Sequence, residues 1–212
     1  MTEKVYVQYG CGLCAPVGWI NFDASPTLQI QRIPLLGKLF RKKLNVIFPV
    51  NVKYGDIIKG LPIKENSCDA IFCSHTLEHL SLADFGKALK NTYTMLKSGG
   101  MFRCIVPDLE YAAREYIQSI DRNEPSPNMK FMQETMLGVE QRPKGMKGLL
   151  NTAFGNSHHL WMWDRKSLSD ALADAGFHSI RQCRFNDCED EKFIEVEYEG
   201  RFINAVAIEC IK

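Results

Sequence analysis

Short strand-like runs of apolar residues alternate with longer helix-like stretches along the chain. The runs are bounded by turn-forming residues and predict strands; they lie at 5–9, 19–23, 51–54, 68–74, 101–106, 179–185 and 202–211. Between several of them, apolar residues recur three and four positions apart, which predicts helices with one buried face. The best-defined helices follow side chains that can cap a first turn: Ser81, Asp108 and Asp164. This alternation is typical of an α/β fold with a mostly parallel sheet covered on both faces.

Three stretches need a separate interpretation. Residues 121–157 combine prolines, glycines and four methionines. Because a long loop without structure is rare inside a compact domain, we predict an insertion with one helix, forming a lid over the acceptor, within a single domain over residues 1–212. The glycines of 97–100 are predicted to end the helix that follows Ser81. The acidic run at 187–199 alternates with apolar residues and predicts a strand with one solvated face.

Composition narrows the function classes only a little. The 212 residues carry a formal charge of +1, so no global field favours nucleic acid or an acidic partner. No apolar run approaches the roughly 18 residues that span a membrane, and the first residues lack the pattern of a signal peptide. We therefore expect a cytoplasmic protein whose eight cysteines are reduced. Cys11 and Cys14 have the CxxC spacing, but no second such pair accompanies them, so we predict no metal site.

A glycine pair follows the first predicted strand, where the edge of a parallel sheet meets nucleotide-like ligands. Gly10-Cys11-Gly12 lets ligand atoms approach the backbone closely. With Ala15, the segment also satisfies the G-x-G-x-x-A pattern of dinucleotide-binding enzymes, so a nicotinamide-dependent oxidoreductase is one hypothesis. Pro16 opposes the helix that this pattern requires, and the acid that should follow arrives early, at Asp23. The oxidoreductase is therefore the less favoured hypothesis.

Further motifs follow the glycines at close spacing. They comprise Gly55-Asp-Ile-Ile-Lys-Gly-Leu-Pro62, Asp69 to His79 including Ser74-His-Thr-Leu-Glu-His79, Leu96-Lys-Ser-Gly-Gly100 and Val106-Pro-Asp108. In these motifs the chain resembles the class I S-adenosylmethionine-dependent methyltransferases, specifically the methyltransferase type 11-like group. The resemblance runs from Val5 to about Tyr116 and resumes from His158 to Phe177. It implies a Rossmann-like, doubly wound, mostly parallel sheet of seven strands with a C-terminal antiparallel strand.

The resemblance also implies a binding site for S-adenosylmethionine. The Gly10-Cys11-Gly12 segment would border the methionine part of the cofactor, and Asp23 would accept the ribose hydroxyls. Asp56 and Ile57 would contact the adenine, while Ser74 and His75 would line the floor near the sulfonium.

One position departs from the family pattern. The family usually has an acid two residues before the first glycine, where this chain has Gln8. Glutamine can still accept a hydrogen bond from the ammonium group of the cofactor, but without the charge. A binding module that has lost catalysis is therefore the alternative to an active enzyme.

Methyl transfer from a sulfonium depends mainly on positioning and on exclusion of water. For an oxygen or nitrogen acceptor a base assists the transfer, and histidine titrates near neutral pH. The candidates are His159 and His158, which precede an aromatic segment, and then His75. His79 is also available, although a structural role in packing its turn is the favoured interpretation. Glu78 is either a carboxylate at the cleft or a hydrogen-bond acceptor for a backbone N–H at a helix start.

The acceptor is predicted to be a small molecule or a glycan. Residues 32–44 combine apolar and basic positions, so contact with an anionic membrane surface is one hypothesis; a packed helix with a solvated basic side is the other. Nucleic acid is an unlikely acceptor, because the Asn-Pro-Pro-Tyr-like tetrapeptide of adenine methylases is replaced by the segment 74–77.

Overall fold

The computed structural model describes residues 3–33, 46–141 and 158–212, which contain one seven-stranded sheet. The strands are β1 Tyr6–Tyr9, β2 Ile20–Asp23, β3 Val52–Tyr54, β4 Cys68–Ser74, β5 Leu96–Pro107, β6 His178–Gln182 and β7 Ala205–Ile211. Their order across the sheet is β3-β2-β1-β4-β5-β7-β6. Strands β1 to β5 pair in parallel, and β7 runs antiparallel to both of its neighbours. The predicted Rossmann-like, mostly parallel sheet with a C-terminal antiparallel strand is confirmed.

Five α-helices accompany the sheet within the described residues: α1 Pro26–Arg32, α2 Leu82–Met95, α3 Leu109–Asp121, α4 Pro127–Glu134 and α5 Arg165–Asp174. The three predicted caps are confirmed. The Ser81 hydroxyl accepts from the backbone N–H of Asp84, and the carboxylates of Asp108 and Asp164 bind the first turns of α3 and α5. Each cap satisfies a helix N–H that has no partner within its own helix.

The central strands β1 and β4 are buried on both faces, as a parallel sheet between helices requires. Along β4, Ile71 and Cys73 pack into the cluster that contains α2 and α5. Ala70 and Phe72 point the opposite way, toward Phe193. Successive residues of a strand face opposite sides, so this alternation divides the core into two layers.

The start of the fifth strand differs from the prediction. Helix α2 ends at Met95, directly before the segment 97–100, but β5 begins at Leu96 and not at residue 101, so it includes the glycines. Leu96 pairs with Cys68, and the Gly100 carbonyl accepts a hydrogen bond from the Lys212 N–H at 3.0 Å. An alanine Cβ at Gly100 would lie 3.0 Å from the Cys68 carbonyl oxygen, so glycine fits this close backbone approach.

The acidic run at 187–199 forms no strand within the described chain. It contains the 3-10 turn Glu191–Glu195 and leads into a second one, Glu199–Phe202. Phe193 and Val196, three residues apart, are the buried apolar residues of this run. Their spacing fits a helical turn rather than the two-residue period of a strand.

The reason for this arrangement is a buried arginine on β5. The side chain of Arg103 is fully buried, and its guanidinium forms ion pairs with Glu197 and with Glu209 on β7. It also donates hydrogen bonds to the carbonyls of Arg184 and Asp187 at 2.8 Å each. A buried cation requires several such partners, and the acidic run folds over the sheet to supply them.

Two predictions concern residues that are only partly described. Of the insertion at 121–157, the described part contains α4, and residues 142–157 lie outside the described chain. The basic segment 32–44 lies almost wholly outside it, so its proposed contact with an anionic membrane stays a prediction. No helix in the described ranges combines the length and the apolar character needed to cross a membrane.

Candidate functional site

The carboxyl ends of β1 and β4 lie side by side at the point where the strand order reverses. In open α/β sheets, ligands bind in the crevice at such a switch point. β1 ends at Tyr9. Gly10 follows it with a φ of +64°, which is a left-handed conformation, and Gly12 has a φ of +54°. A Cβ at Gly10 would lie 1.9 Å from the Thr76 hydroxyl oxygen, whereas one at Gly12 would meet nothing within 4 Å. The loop after β1 is thus crowded at its first glycine and faces open space at its second.

The end of β2 supplies a carboxylate to this loop. Asp23 is 8% exposed, and its Oδ2 accepts a hydrogen bond from the Gly12 N–H at 2.9 Å. Its Oδ1 accepts from the Ser25 N–H at 2.8 Å. Each carboxylate oxygen can accept a second hydrogen bond. Asp23 therefore fixes the glycine loop and keeps acceptor capacity for a hydroxyl-bearing ligand.

Gln8 on β1 and Cys11 in the loop after it have roles that the sequence did not indicate. Gln8 is buried, and its amide nitrogen donates to the Cys14 carbonyl at 2.8 Å and to Asn21 Oδ1 at 2.5 Å. These bonds tie the loop to β2. Cys11 packs against a small apolar cluster, and burial raises the pKa of its thiol to about 12, with a further contribution from Asp23. A thiol with this pKa is protonated and unreactive at neutral pH.

Residues 10–19 of the structure contain turns and no helix. The dinucleotide-binding pattern requires a helix that starts at the glycines and points its N-terminus at the pyrophosphate. The absence of that helix from this segment removes the main support for a nicotinamide-dependent oxidoreductase.

The loop after β3 lies next to the end of β2. The Gly55 N–H donates to the Asp23 carbonyl at 3.1 Å, which brings the following Asp56 and Ile57 to the same edge of the sheet. Asp56 accepts from the Ile58 N–H at 3.0 Å and pairs with the exposed Lys59 at 3.3 Å. Ile57 is 5% exposed. The structure therefore places an apolar side chain and a carboxylate beside Asp23, as the sequence motif suggests.

The end of β4 turns sharply into the site. His75 adopts a φ of +49°, an uncommon conformation for a residue with a side chain, and its N–H donates to the Ile105 carbonyl at 2.9 Å. Ser74 Oγ is buried and has no hydrogen-bond partner within the described chain. Strained backbone and an unpartnered buried hydroxyl are features that concentrate where a ligand binds.

A buried carboxylate lies one turn further on. Glu78, in the 3-10 turn Leu77–His79, is fully buried, and neither of its carboxylate oxygens has a hydrogen-bond partner among the described residues. Two histidines of the sequence prediction lie next to it. His75 Nδ1 is 3.4 Å from Glu78 Oε1, and His159 Nε2 is 4.0 Å from the same oxygen.

The histidine segment around 159 is held against this turn by its backbone. The N–H groups of Leu160 and Trp161 both donate to the Glu78 carbonyl, at 2.7 and 3.1 Å. The ring of His79 lies 5.0 Å from that of His159, and its Nδ1 is 3.0 Å from the His158 carbonyl oxygen. Burial lowers the pKa of His159, and the Glu78 carboxylate partly offsets this effect.

The three histidines predicted as catalytic therefore divide into two groups. His75 and His159 meet at Glu78, together with His79. His158 is exposed, and the nearest hydrogen-bond acceptor of its ring is the Met136 carbonyl at 3.4 Å. The sequence favoured a structural role for His79 and left Glu78 open between a carboxylate at the cleft and a helix-start hydrogen bond; the adjacency of an acid and a histidine in one short turn is the signal that could have singled them out.

Comparison with known proteins agrees with this architecture. Residues 7–104 match the family model of a methyltransferase domain, and no curated protein shows significant similarity to the chain. An S-adenosylmethionine-dependent methyltransferase from Thermotoga maritima has a similar structure, with a TM-score of 0.51 and 20% identity over 100% of this chain and 84% of that one.

Two further structures show how varied the proteins with this fold are. The complex of the Haloferax volcanii methyltransferase activator Trm112 with a methyltransferase matches with a TM-score of 0.51 and 16% identity, over 99% of this chain and 82% of that one. The CurJ carbon methyltransferase matches with a TM-score of 0.50 and 12% identity, over 99% and 49% of the two chains. At these identities the likeness describes the fold.

Proposed function

We propose that the chain is a class I S-adenosylmethionine-dependent methyltransferase that methylates an oxygen or nitrogen atom of a small molecule or glycan; the match of residues 7–104 to a methyltransferase domain supports the proposal. The observation that carries the proposal is the edge formed by the ends of β1, β2 and β4. There an open space beside Gly12, the acceptor capacity of Asp23 and the unpartnered Ser74 hydroxyl lie on adjacent strands. A ligand with an amino acid part and a ribose fits these features.

The cofactor would be held by the residues that line this edge. In the proposed complex, Gly10, Cys11 and Gly12 border its methionine part and Asp23 accepts a ribose hydroxyl. Asp56 and Ile57 bind the adenine, and Ser74 and His75 lie near the sulfonium. The positive φ of Gly12 and the open space beside it support this assignment, because a side chain there would enter the volume that the methionine part needs.

The sulfonium supplies an already activated methyl group, so the chain mainly has to orient the acceptor and exclude water. A hydroxyl or ammonium acceptor also loses a proton during transfer. The cluster of His75, Glu78 and His159 is the proposed destination of that proton, since two imidazoles lie within 4.0 Å of one carboxylate oxygen. The proposed compartment is the cytoplasm, where the eight free cysteines would stay reduced.

Calorimetric titration tests the cofactor assignment directly. We expect S-adenosylhomocysteine and S-adenosylmethionine to bind the purified chain and NAD not to bind. Asp23→Asn should weaken the binding of S-adenosylhomocysteine at least tenfold, because an amide presents only one acceptor oxygen where a carboxylate presents two. Asp174→Asn is the matched control, since that carboxylate is exposed at the end of α5.

Circular dichroism of Asp23→Asn has to show a folded protein, because Asp23 also holds the Gly12 and Ser25 amides. Transfer of labelled methyl groups to a metabolite or cell-wall extract then identifies the acceptor. Binding of NAD in place of S-adenosylhomocysteine would contradict the proposal. Binding without any transfer would favour the inactive binding module.

A further inference from the structure

The buried carboxylate of Glu78 lacks the partners that a charge in this position requires. The residue has no exposed surface, and both of its oxygens are unpartnered within the described chain. An isolated buried carboxylate is strongly disfavoured and is retained only when it is paired or coordinates a metal. The groups that face Glu78 therefore determine which partner can compensate the charge of its carboxylate.

Two of the imidazoles beside it have no proton to donate to it when they are neutral. His75 Nε2 lies 2.9 Å from the Arg201 carbonyl oxygen, and His79 Nδ1 lies 3.0 Å from the His158 carbonyl oxygen. A carbonyl oxygen only accepts, so in the neutral imidazole it fixes the proton on the nearby nitrogen and leaves the other nitrogen with a lone pair. His75 Nδ1, 3.4 Å from Glu78 Oε1, is then a second acceptor facing the carboxylate.

We propose that Glu78, His79 and His159 bind a divalent transition-metal ion. One ligand atom from each of these residues lies within 4.8 Å of the other two. Two imidazoles and one carboxylate form a ligand set used by zinc enzymes, in which a fourth position stays open for water or substrate. Zinc bond lengths place tetrahedral ligands about 3.4 Å apart, so the three side chains close by about 1.4 Å at most when the ion binds.

The cluster is organised before any ion arrives. The carbonyl of His158 orients the ring of His79 in the way that a second ligand shell orients metal-binding histidines. Backbone hydrogen bonds from Leu160 and Trp161 to Glu78 fix the segment that carries His159. Nitrogen ligands favour Zn²⁺, Co²⁺ or Fe²⁺ over Mg²⁺ or Ca²⁺, which prefer oxygen.

Ion binding is a property separate from the proposed function, and it can be measured without cofactor or acceptor. It also departs from the expectation of no metal site, which considered only the cysteine pair Cys11 and Cys14. If both proposals hold, His159 binds the ion and cannot also act as the base.

The test titrates chelator-treated full-length chain with ZnCl₂ and, separately, with CoCl₂. We expect one equivalent of Zn²⁺ to bind, the melting temperature to rise with it, and bound Co²⁺ to show the visible absorption of a tetrahedral site. Glu78→Gln should raise the dissociation constant at least about 100-fold, since loss of even an outer-shell partner costs 10–100-fold. Cys14→Ser is the control and should bind as the wild type does, because Cys14 lies outside the cluster.

His79→Asn provides a second variant, because this half-buried residue can be replaced with less risk to the fold than Glu78. Both variants should keep a wild-type circular dichroism spectrum while losing the thermal shift caused by Zn²⁺. Absence of stoichiometric binding in the wild type, unchanged affinity in the cluster variants, or loss of binding in Cys14→Ser would overturn the proposal. Failure of S-adenosylhomocysteine to bind leaves this result unaffected, so the two proposals fail separately.

Discussion

Replacing Gly10 with alanine perturbs the point where the end of β1 meets the turn after β4. The substitution has two separable costs. A left-handed φ of +64° costs a residue with a Cβ about 1–2 kcal/mol. The new Cβ would also lie 1.9 Å from Thr76 Oγ1 and 2.9 Å from Thr76 Cβ, and overpacking of this kind costs about 1–3 kcal/mol. We expect Gly10→Ala to lower the free energy of unfolding by about 2–5 kcal/mol.

Gly12→Ala is the matched control within the same loop. Its φ of +54° is similar, but a Cβ there would meet no atom within 4 Å. This variant should therefore show the conformational cost alone, about 1–2 kcal/mol. The affinity of the folded Gly12→Ala protein for S-adenosylhomocysteine should also fall, because its Cβ enters the space assigned to the methionine part of the cofactor.

Urea unfolding measures both variants, together with Thr76→Ala and the double variant Gly10→Ala/Thr76→Ala. Thr76→Ala removes two of the three contacting atoms and also the hydrogen bond to the Ser74 carbonyl at 3.2 Å, so a double-mutant cycle is needed to isolate the clash. We expect the double variant to recover part of the loss. Equal stability of Gly10→Ala and Gly12→Ala, or no coupling with Thr76, would refute the argument from close packing.

The remaining predictions concern the core. Arg103→Met should destabilise the chain by about 3–5 kcal/mol in urea unfolding, because it leaves the buried Glu197 without a cation and removes one of the two guanidinium groups that pair with Glu209, the other being that of Arg181; the exposed Arg114→Ala should change stability by less than about 0.5 kcal/mol. At pH 8, a thiol reagent should label the exposed Cys14 first and all eight cysteines only in denaturant, since burial raises the pKa of Cys68 to about 11. A thiol whose pKa is higher in the folded state stabilises the fold below pH 9, and this stabilisation is lost as the pH rises further. The urea midpoint should therefore fall above pH 9. An unchanged midpoint would contradict this prediction.

The sequence predicted the elements whose signals are local. The strand Cys68–Ser74 was predicted with its observed bounds, and the helix start at Ser81 was identified from its cap. In both cases the apolar period and the turn residues that define the element lie within a few positions of each other. The residues at the carboxyl ends of the strands follow from the same signals, because each one comes directly after an apolar run.

The prediction failed where distant residues determine the structure. The acidic run at 187–199 has strand-like alternation, yet it folds as turns because Arg103, far away in the chain, needs Glu197 as a partner. The segment 97–100 follows the end of α2 as predicted, yet its glycines also belong to β5, where Lys212 pairs with Gly100. Neither Arg103 nor Lys212 can be identified as a partner from the local pattern of the segment whose structure it influences.

The same distinction separates the two halves of the candidate site. The proposed cofactor half is built from residues that end consecutive strands, such as Gly10, Asp23 and Ser74, so its outline is visible in the sequence. The acceptor half depends on the return of His158 to contact His79, 79 residues earlier in the chain. In the sequence alone, the Glu78-His79 turn has an ordinary structural explanation. In the fold, the returning segment places imidazoles around its carboxylate. Identification of the acceptor therefore depends on the chemistry of Glu78 and its histidines, which makes ion binding the measurement that most directly narrows the acceptor class.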